Sequence, residues 1–157
     1  MIVNMDSLSG ERMKESKIAM RSCLGTSKVK KKILARRAPL FLGRRCNARC
    51  SFCYYKEELD TAEHAKLGSV MEQMDFLAEY GIEDIELTGG EPTIHPHWFD
   101  ILEYSSYKFR HVACISNGIK LSDPHFAEKS HRAGLREVLF SIHGYDSDTH
   151  NSKTGPL

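Results

Sequence analysis

The chain of 157 residues has the length of a single domain, and its 22 Lys and Arg nearly balance its 21 Asp and Glu. The resulting net charge of +1 provides no long-range field that would attract the whole molecule to nucleic acid or to a membrane surface. The sequence shows neither a run of eighteen apolar residues nor a charged start followed by an apolar stretch, so we expect a cytoplasmic protein without a membrane span or a secretion signal.

Residues 1–37 differ in composition from the rest of the chain. The stretch KVKKKILARR within them carries six basic side chains and no acidic one, and no aromatic residue stands between the charges. Short basic runs of this kind usually face water, so we predict a partly ordered N-terminal extension over 1–37. Docking to RNA or to another acidic partner is the alternative, but the missing aromatic residues make nucleic acid an unexpected partner.

From Pro39 onward, strand-like and helix-like segments alternate. PLFLG predicts a first strand, and in TAEHAKLGSVMEQMDFLAEYG the apolar residues recur three and four positions apart, which predicts a helix. Asp60 or Thr61 can cap the start of this helix, and Gly81 stands where it should end.

The same alternation continues to the end of the chain. EDIELT, HVACIS and REVLF predict three more strands, and HWFDILEY predicts a second helix. A third helix is predicted with Ser122 or Asp123 as its cap, Pro124 at its first position and Gly134 at its end. Strands separated by single helices pair in parallel through right-handed crossovers, which predicts an α/β domain over 38–157 with four parallel strands and three helices. No helix is predicted after the fourth strand, so that strand should be an exposed edge.

Four short motifs follow the ends of the four predicted strands, namely RRCNARCSFC, TGGEP, SNG and SIHG. In α/β barrels and doubly wound sheets, the carboxyl ends of parallel strands carry the functional loops. We therefore expect the four motifs to lie together on one face of the domain.

Three cysteines, Cys46, Cys50 and Cys53, stand within eight positions. In a reducing compartment such a group holds metal more often than it forms disulfides. Structural zinc needs four ligands and the chain has no second close pair of cysteines, although His64 or the otherwise isolated Cys114 can in principle complete a set. An iron–sulfur cube accepts three thiolates and leaves one iron open for a ligand that is not protein.

The motif C-x3-C-x2-C, with Phe52 before its last cysteine and directly after the first strand, resembles the signature of the radical S-adenosylmethionine (radical SAM) superfamily. The resemblance implies that Cys46, Cys50 and Cys53 bind a [4Fe-4S] cluster and that S-adenosylmethionine chelates the open iron through its amino and carboxylate groups. It also implies that Phe52 lies against the adenosyl part. The implied reaction is reductive cleavage of S-adenosylmethionine to a 5′-deoxyadenosyl radical, which removes hydrogen from a substrate.

The second motif supports this resemblance. GGEP, formed by Gly89, Gly90, Glu91 and Pro92, is similar to the family's motif for the methionyl amine, and it follows the last cysteine by one strand. Paired glycines allow close approach of the backbone to a ligand, and Glu91 can accept a charge-assisted hydrogen bond from a cationic amine. By itself, such a sequence is more often a plain turn.

The third and fourth motifs extend the resemblance. Ser116 and Asn117 stand in SNG, which resembles the family's Thr-Asn-Gly segment and implies contact with the cofactor; a turn that leads into a helix is the alternative. FSIHG and the residues after it resemble the peptide-modifying and maturase-like branch. There the resemblance implies that Ser141 contacts the carboxylate or ribose of the cofactor, with His143 as the second candidate.

The resemblance covers residues 38–157 and implies an incomplete (βα) barrel of the TIM type. The family core normally has six βα units, and the last two have no counterpart in this sequence. We therefore expect little cleavage of S-adenosylmethionine by this chain alone. The resemblance further implies an electron donor such as flavodoxin or ferredoxin and an unidentified substrate, with a peptide or protein as the candidate. The alternative is a non-catalytic metal-binding or iron–sulfur module that docks onto a partner.

Overall fold

The computed structural model describes residues 36–155, and in this range strands and helices alternate. The strands are β1 (Arg37–Phe41), β2 (Asp84–Thr88), β3 (His111–Ser116) and β4 (Glu137–Phe140). The helices are α1 (Leu67–Glu79), α2 (Trp98–Lys108), α3 (Pro124–Arg132) and α4 (Ser147–Thr154). Apart from its last two residues, the predicted extension over 1–37 lies outside the described residues. No helix in the described range is long and apolar enough to cross a bilayer.

The four strands form one sheet in the order β1-β2-β3-β4, and every neighbouring pair is parallel. Leu40 of β1 is opposite Leu87 of β2, which in turn is opposite Cys114 of β3. Each parallel pair is joined by a crossover that contains one helix, as the alternation of the sequence predicts. The predicted α/β class is therefore confirmed.

The hydrophobic core lies between the sheet and the first three helices. Alternate residues of the strands are buried on that side, where they meet the apolar stripes of the helices. The largest fully buried side chains there include Leu40, Ile85, Leu87, Val112, Val70, Met74, Trp98, Ile101 and Leu102. The one polar atom of Trp98, Nε1, donates a hydrogen bond to the buried Ser130 hydroxyl at 3.0 Å, so burying the indole leaves no unpaired donor.

On the opposite face of the sheet, side chains of the two outer strands meet. Arg37 of β1 donates two hydrogen bonds to Glu137 of β4, at 3.0 and 2.9 Å, and Nε2 of His111 on β3 lies 3.0 Å from the same carboxylate. In a flat sheet, strands three places apart are separated by about 14 Å. The contact therefore shows that the sheet curves, which is the curvature of an incomplete barrel.

This charged group makes stability depend on pH. The hydrogen bonds from Arg37 and His111 lower the pKa of Glu137 from its usual range to about 2. A carboxyl group whose pKa is lower in the folded state stabilises the fold above its unfolded-state pKa, and this contribution disappears as the pH falls from about 5 to about 2. In denaturant titrations, wild-type protein should therefore lose stability over this range more steeply than Glu137→Gln. A substitution of Glu103, an exposed residue on α2, should keep the wild-type slope; equal slopes for all three proteins would contradict the prediction.

The predicted start of the first helix is wrong. Helix α1 begins at Leu67, and neither Asp60 nor Thr61 caps it. The segment before it pairs with the residues that follow β1 instead, since the Ala65 amide donates to the Leu42 carbonyl at 3.0 Å. Asp60 forms an ion pair with Arg49. The predicted cap of the third helix is confirmed, because the Asp123 carboxylate accepts a hydrogen bond from the backbone of its first turn.

The expectation of only three helices is also wrong, because α4 follows β4. Its sequence SDTHNSKT has no apolar stripe, so hydrophobic periodicity gave no signal. Asp146 caps its start through the Thr149 amide at 2.7 Å, and Gly155 at its end has a positive φ of 82°. Leu139 of β4 is still 60% exposed, so this strand retains an apolar surface.

Candidate cluster and cofactor site

A cavity of about 240 Å³ lies at the carboxyl ends of the strands. All four motifs contribute to its wall, so the expectation that they share one face is confirmed. Of the predicted site residues, those that line the cavity are Cys46, Cys50, Phe52, Cys53, Gly89, Gly90, Glu91, Ser116, Asn117 and Ser141, together with His143. Pro92 is buried at the start of a short 3-10 turn, Pro92–Ile94, and does not line the cavity.

The three cysteines of the first motif are partly exposed free thiols on one wall of the cavity. The loop is turned tightly there, since the Cys53 amide donates to the Cys50 carbonyl at 3.0 Å. Burial raises the pKa of the Cys46 and Cys50 thiols, and the Ala48 amide, 3.4 Å from the Cys46 sulfur, offsets part of the effect on Cys46. Metal binding at these two positions must therefore displace a proton from each sulfur.

Neither of the two residues considered as a fourth zinc ligand lines the cavity with the three cysteines. Cys114 is fully buried among the core residues of β3, and the His64 ring packs on the His95 ring with centroids 4.9 Å apart. Within residues 36–155, no three His, Cys, Asp or Glu side chains form a group that can hold one metal ion. Thiolates that bind different irons of a cube need not converge on a single ion.

The paired glycines of the second motif are in contact with the beginning of the cysteine loop. The Gly90 amide donates to the Gly43 carbonyl, and the Glu91 amide donates to the Arg45 carbonyl, both at 2.9 Å. A Cβ atom at Gly89 would lie 2.5 Å from the Gly43 oxygen, and one at Gly90 would collide with the Arg45 carbonyl. The glycines are therefore required for close packing of two protein loops, and their contact with a bound molecule stays a prediction.

The Glu91 carboxylate is only 2% exposed and is held by hydrogen bonds from three residues. Its Oε1 atom accepts from the Thr93 amide at 3.1 Å, the Thr93 hydroxyl at 2.5 Å and the Ser116 hydroxyl at 2.8 Å. Its Oε2 atom accepts from the Asn117 amide at 2.7 Å. No cationic side chain among the described residues forms an ion pair with it. Because a carboxylate oxygen has two lone pairs, Oε2 has capacity for another donor.

The third and fourth motifs complete the opposite wall of the cavity. The buried Ser116 hydroxyl also accepts from the Gly118 amide at 3.0 Å, so protein groups already engage it. The Asn117 side chain donates to Asn47 in the cysteine loop at 2.9 Å, a contact that joins two motifs and that a lone Asn between cysteines gave no reason to predict. Ser141 is half-buried, and its amide donates to the Ser116 carbonyl at 2.9 Å.

Phe52 lies at the mouth of the cavity and is 54% exposed. Its ring packs against the His143 ring with centroids 4.4 Å apart. Thr88 and Ile115 also line the cavity, although neither was predicted as a site residue. The signal for them was the strand alternation, which places them on the face of the sheet away from the helices.

Comparison with known proteins agrees with this arrangement. The family model for the radical SAM superfamily matches residues 40–156, which is more than half of the chain. This chain belongs to the radical SAM superfamily. Radical SAM proteins are enzymes that bind a [4Fe-4S] cluster and S-adenosylmethionine, so the predicted family and its cofactors are confirmed.

Individual relatives carry different names. A probable GTP 3′,8-cyclase from Thermoplasma volcanium is 32% identical over 111 residues, which cover 70% of this chain and 33% of the relative. The sporulation killing factor maturation protein SkfB from Bacillus subtilis is 34% identical over 116 residues, which cover 70% of this chain and 26% of the relative. The chain thus spans between a quarter and a third of the length of these curated relatives.

The fold has a solved counterpart. The crystal structure of Streptococcus suis SuiB bound to S-adenosylmethionine superposes with a TM-score of 0.61 at 13% identity, covering 77% of this chain and 28% of that one. At this identity the superposition concerns the fold, and it agrees with the incomplete TIM-like barrel predicted from the sequence.

Proposed function

We propose that this chain is the part of a radical SAM enzyme that binds the cluster and S-adenosylmethionine and starts the radical. The observation that carries the proposal is the cavity at the strand ends, which brings three free thiols and the buried Glu91 carboxylate to one place. Cys46, Cys50 and Cys53 are proposed as the cluster ligands. Phe52, Gly89, Gly90, Glu91, Pro92, Ser116, Asn117 and Ser141 remain the proposed residues of the cofactor site.

The residues present fit these two groups chemically. Three thiolates without a fourth suit a cube in which one iron takes its last ligand from a bound molecule. The Glu91 carboxylate lines the cavity without a cationic partner among residues 36–155 and has capacity for another hydrogen bond at Oε2. An ammonium group beside it would supply both a donor and the missing positive charge.

In this proposal the protein binds and orients the cluster and S-adenosylmethionine and shields them from water, and these two groups supply the radical chemistry. Held by Cys46, Cys50 and Cys53, a reduced cluster together with S-adenosylmethionine would supply one-electron cleavage of the sulfonium carbon–sulfur bond, with release of methionine, and the abstraction of hydrogen from a substrate. Glu91 fixes the amino end of the cofactor, and Ser141 lies where it can contact the carboxylate or ribose. Phe52 covers the cavity mouth and keeps water from the adenosyl side.

A peptide or protein is the proposed substrate class, and a flavodoxin or ferredoxin in the cytoplasm is the proposed electron donor. The motif FSIHG and the similarity to SkfB, by its name a maturation protein, support a peptide. The similarity to a GTP cyclase makes a nucleotide the competing class. Because little cleavage is expected from this chain alone, the test measures binding: titrating the reconstituted chain, in the presence of S-adenosylmethionine, with a peptide or with GTP would distinguish the two classes.

The proposal is tested by reconstituting the full chain with iron and sulfide without oxygen, reducing it, and adding S-adenosylmethionine. We expect the electron paramagnetic resonance spectrum of the reduced cluster to change on addition, because the cofactor becomes a ligand of the open iron. 5′-Deoxyadenosine, which has the adenosyl part but neither the amino nor the carboxylate group, serves as the comparison and should leave the spectrum unchanged. If the spectrum of the cluster does not change when S-adenosylmethionine is added, the result would instead support a non-catalytic iron–sulfur module.

A further inference from the structure

After β4 the chain folds back onto the cysteine loop, and the end of α4 is hydrogen-bonded to it. The Ser51 amide donates to the Lys153 carbonyl at 2.8 Å, and the Ser51 hydroxyl reaches the same oxygen at 3.2 Å. The Arg49 amide donates to the Thr154 carbonyl at 3.3 Å. Both neighbours of Cys50 are thus held by the last turn of one helix.

These carbonyl groups are available because of their position. The last four carbonyls of a helix have no amide partner within the helix, so they need donors from elsewhere. The cysteine loop supplies two of these donors in adjacent positions, on either side of Cys50. These hydrogen bonds therefore give two carbonyl groups at the end of α4 their donors, and they also fix the backbone of the cysteine loop.

A second contact joins the same two segments near the cavity. The Phe52 ring packs on His143, which lies between β4 and α4, with centroids 4.4 Å apart. The backbone amide of His143 donates in turn to Nδ1 of His150 on α4, at 3.2 Å. Phe52 therefore packs on a residue whose backbone is hydrogen-bonded to α4.

Two features hold α4 in this position. The Asp146 carboxylate caps its first turn through the Thr149 amide. At Gly144, a Cβ atom would collide with the His150 amide nitrogen, so the chain can pass close to the helix only because this residue is glycine. Both features belong to residues 143–155, which we name the clamp segment.

We propose that the clamp segment positions Cys50 and Phe52 by holding the cysteine loop, independently of any bound group. The proposal depends on the proposed function only in the identity of what the loop binds. Asp146 is a positioning residue in this account, since it acts on the loop through α4. It was not predicted from the sequence, because the hydrogen bonds between the clamp segment and the cysteine loop join positions about a hundred residues apart.

The first test measures amide hydrogen exchange in the full chain without a cluster. In Asp146→Ala, loss of the cap should speed exchange at Arg49 and Ser51 about fivefold. Asp146→Asn should restore protection, because Asn also caps helices well. The matched control is Asp123→Ala, which removes the equivalent cap of α3, a helix that makes no hydrogen bond to the cysteine loop among the described residues. Unchanged exchange at Arg49 and Ser51 in both Asp146→Ala and Gly144→Ala would overturn the proposal.

The second test uses the reconstituted chain and measures the rate at which a chelator removes iron. Asp146→Ala should lose iron several-fold faster than wild type, and Asp146→Asn and Asp123→Ala should match wild type. Faster amide exchange with an unchanged rate of iron loss would refute the role in positioning the ligands. If wild type takes up no cluster, the proposed function fails while the exchange result still decides whether the clamp exists.

Discussion

Replacing Cys50 with alanine is expected to give a protein that stays colourless after anaerobic incubation with iron and sulfide, whereas wild type turns brown. Cys50 is the middle ligand of the proposed set and lies on the cavity wall with Cys46 and Cys53. Two thiolates leave two corners of a cube without protein ligands. Bound iron should fall from about four atoms per chain to near zero, measured together with the broad visible absorption of the cluster.

Cys114→Ala is the matched control for this experiment. The Cys114 thiol is fully buried in the core, and burial raises its pKa, so it stays protonated and unreactive. Its loss should cost about 1 kcal/mol of stability through a small cavity and leave the colour unchanged. A wild-type protein that remains colourless and retains one zinc per chain would refute the cluster assignment.

Most of the fold could be predicted because its signals are local. The strands and the first three helices carry apolar residues at periods of two and about 3.6, and one face of each packs in or against the core. Helix α4 lacks such a stripe, and distant contacts hold it, such as the hydrogen bonds of Ser51 to the Lys153 carbonyl. The start of α1 was misplaced for a similar reason, because Ala65 pairs with Leu42 and cannot be helical.

The candidate site, like the fold, was predictable where its signals are local and not where distant contacts form it. The spacing of the cysteines and the positions of the motifs after strands are properties of the sequence, and they predicted which loops would meet. How the loops are tied together is a property of the folded chain, as in the hydrogen bond between Asn47 and Asn117. Glu91 combines both: the sequence predicts it as an acceptor for an amine, while the structure shows that donors from Thr93, Ser116 and Asn117 hold it.

Glu91→Ala is therefore expected to destabilise the protein whether or not Glu91 binds a cofactor. The substitution leaves two backbone amides and two hydroxyls without their acceptor in a buried place, at a cost of about 3 kcal/mol in the free energy of unfolding. Denaturant titration measures this cost. Glu86→Ala, which removes a carboxylate that is 26% exposed from β2, the strand that precedes Glu91, should cost less than about 1 kcal/mol. If Glu91→Ala fails to bind the cofactor, the failure can therefore come either from the lost contact to the cofactor or from the lost stability.

Glu91→Gln and Thr93→Val together separate the two roles. Glu91→Gln preserves the size of the side chain and one oxygen for the donors at Oε1, but it removes the negative charge and leaves the Asn117 amide without its acceptor. Its stability should therefore fall by about 1 kcal/mol, as in Thr93→Val, whereas its affinity for S-adenosylmethionine should fall about tenfold or more if the carboxylate meets the ammonium group. Thr93→Val removes one hydroxyl donor from Oε1 and preserves the charge, so it should cost about 1 kcal/mol of stability and leave the affinity nearly unchanged. Affinities are compared at a temperature where all variants are folded. If Glu91→Gln binds S-adenosylmethionine as tightly as wild type, Glu91 only ties the loop after β2 to the loop after β3, and the amine must be recognised by other groups of the cavity wall.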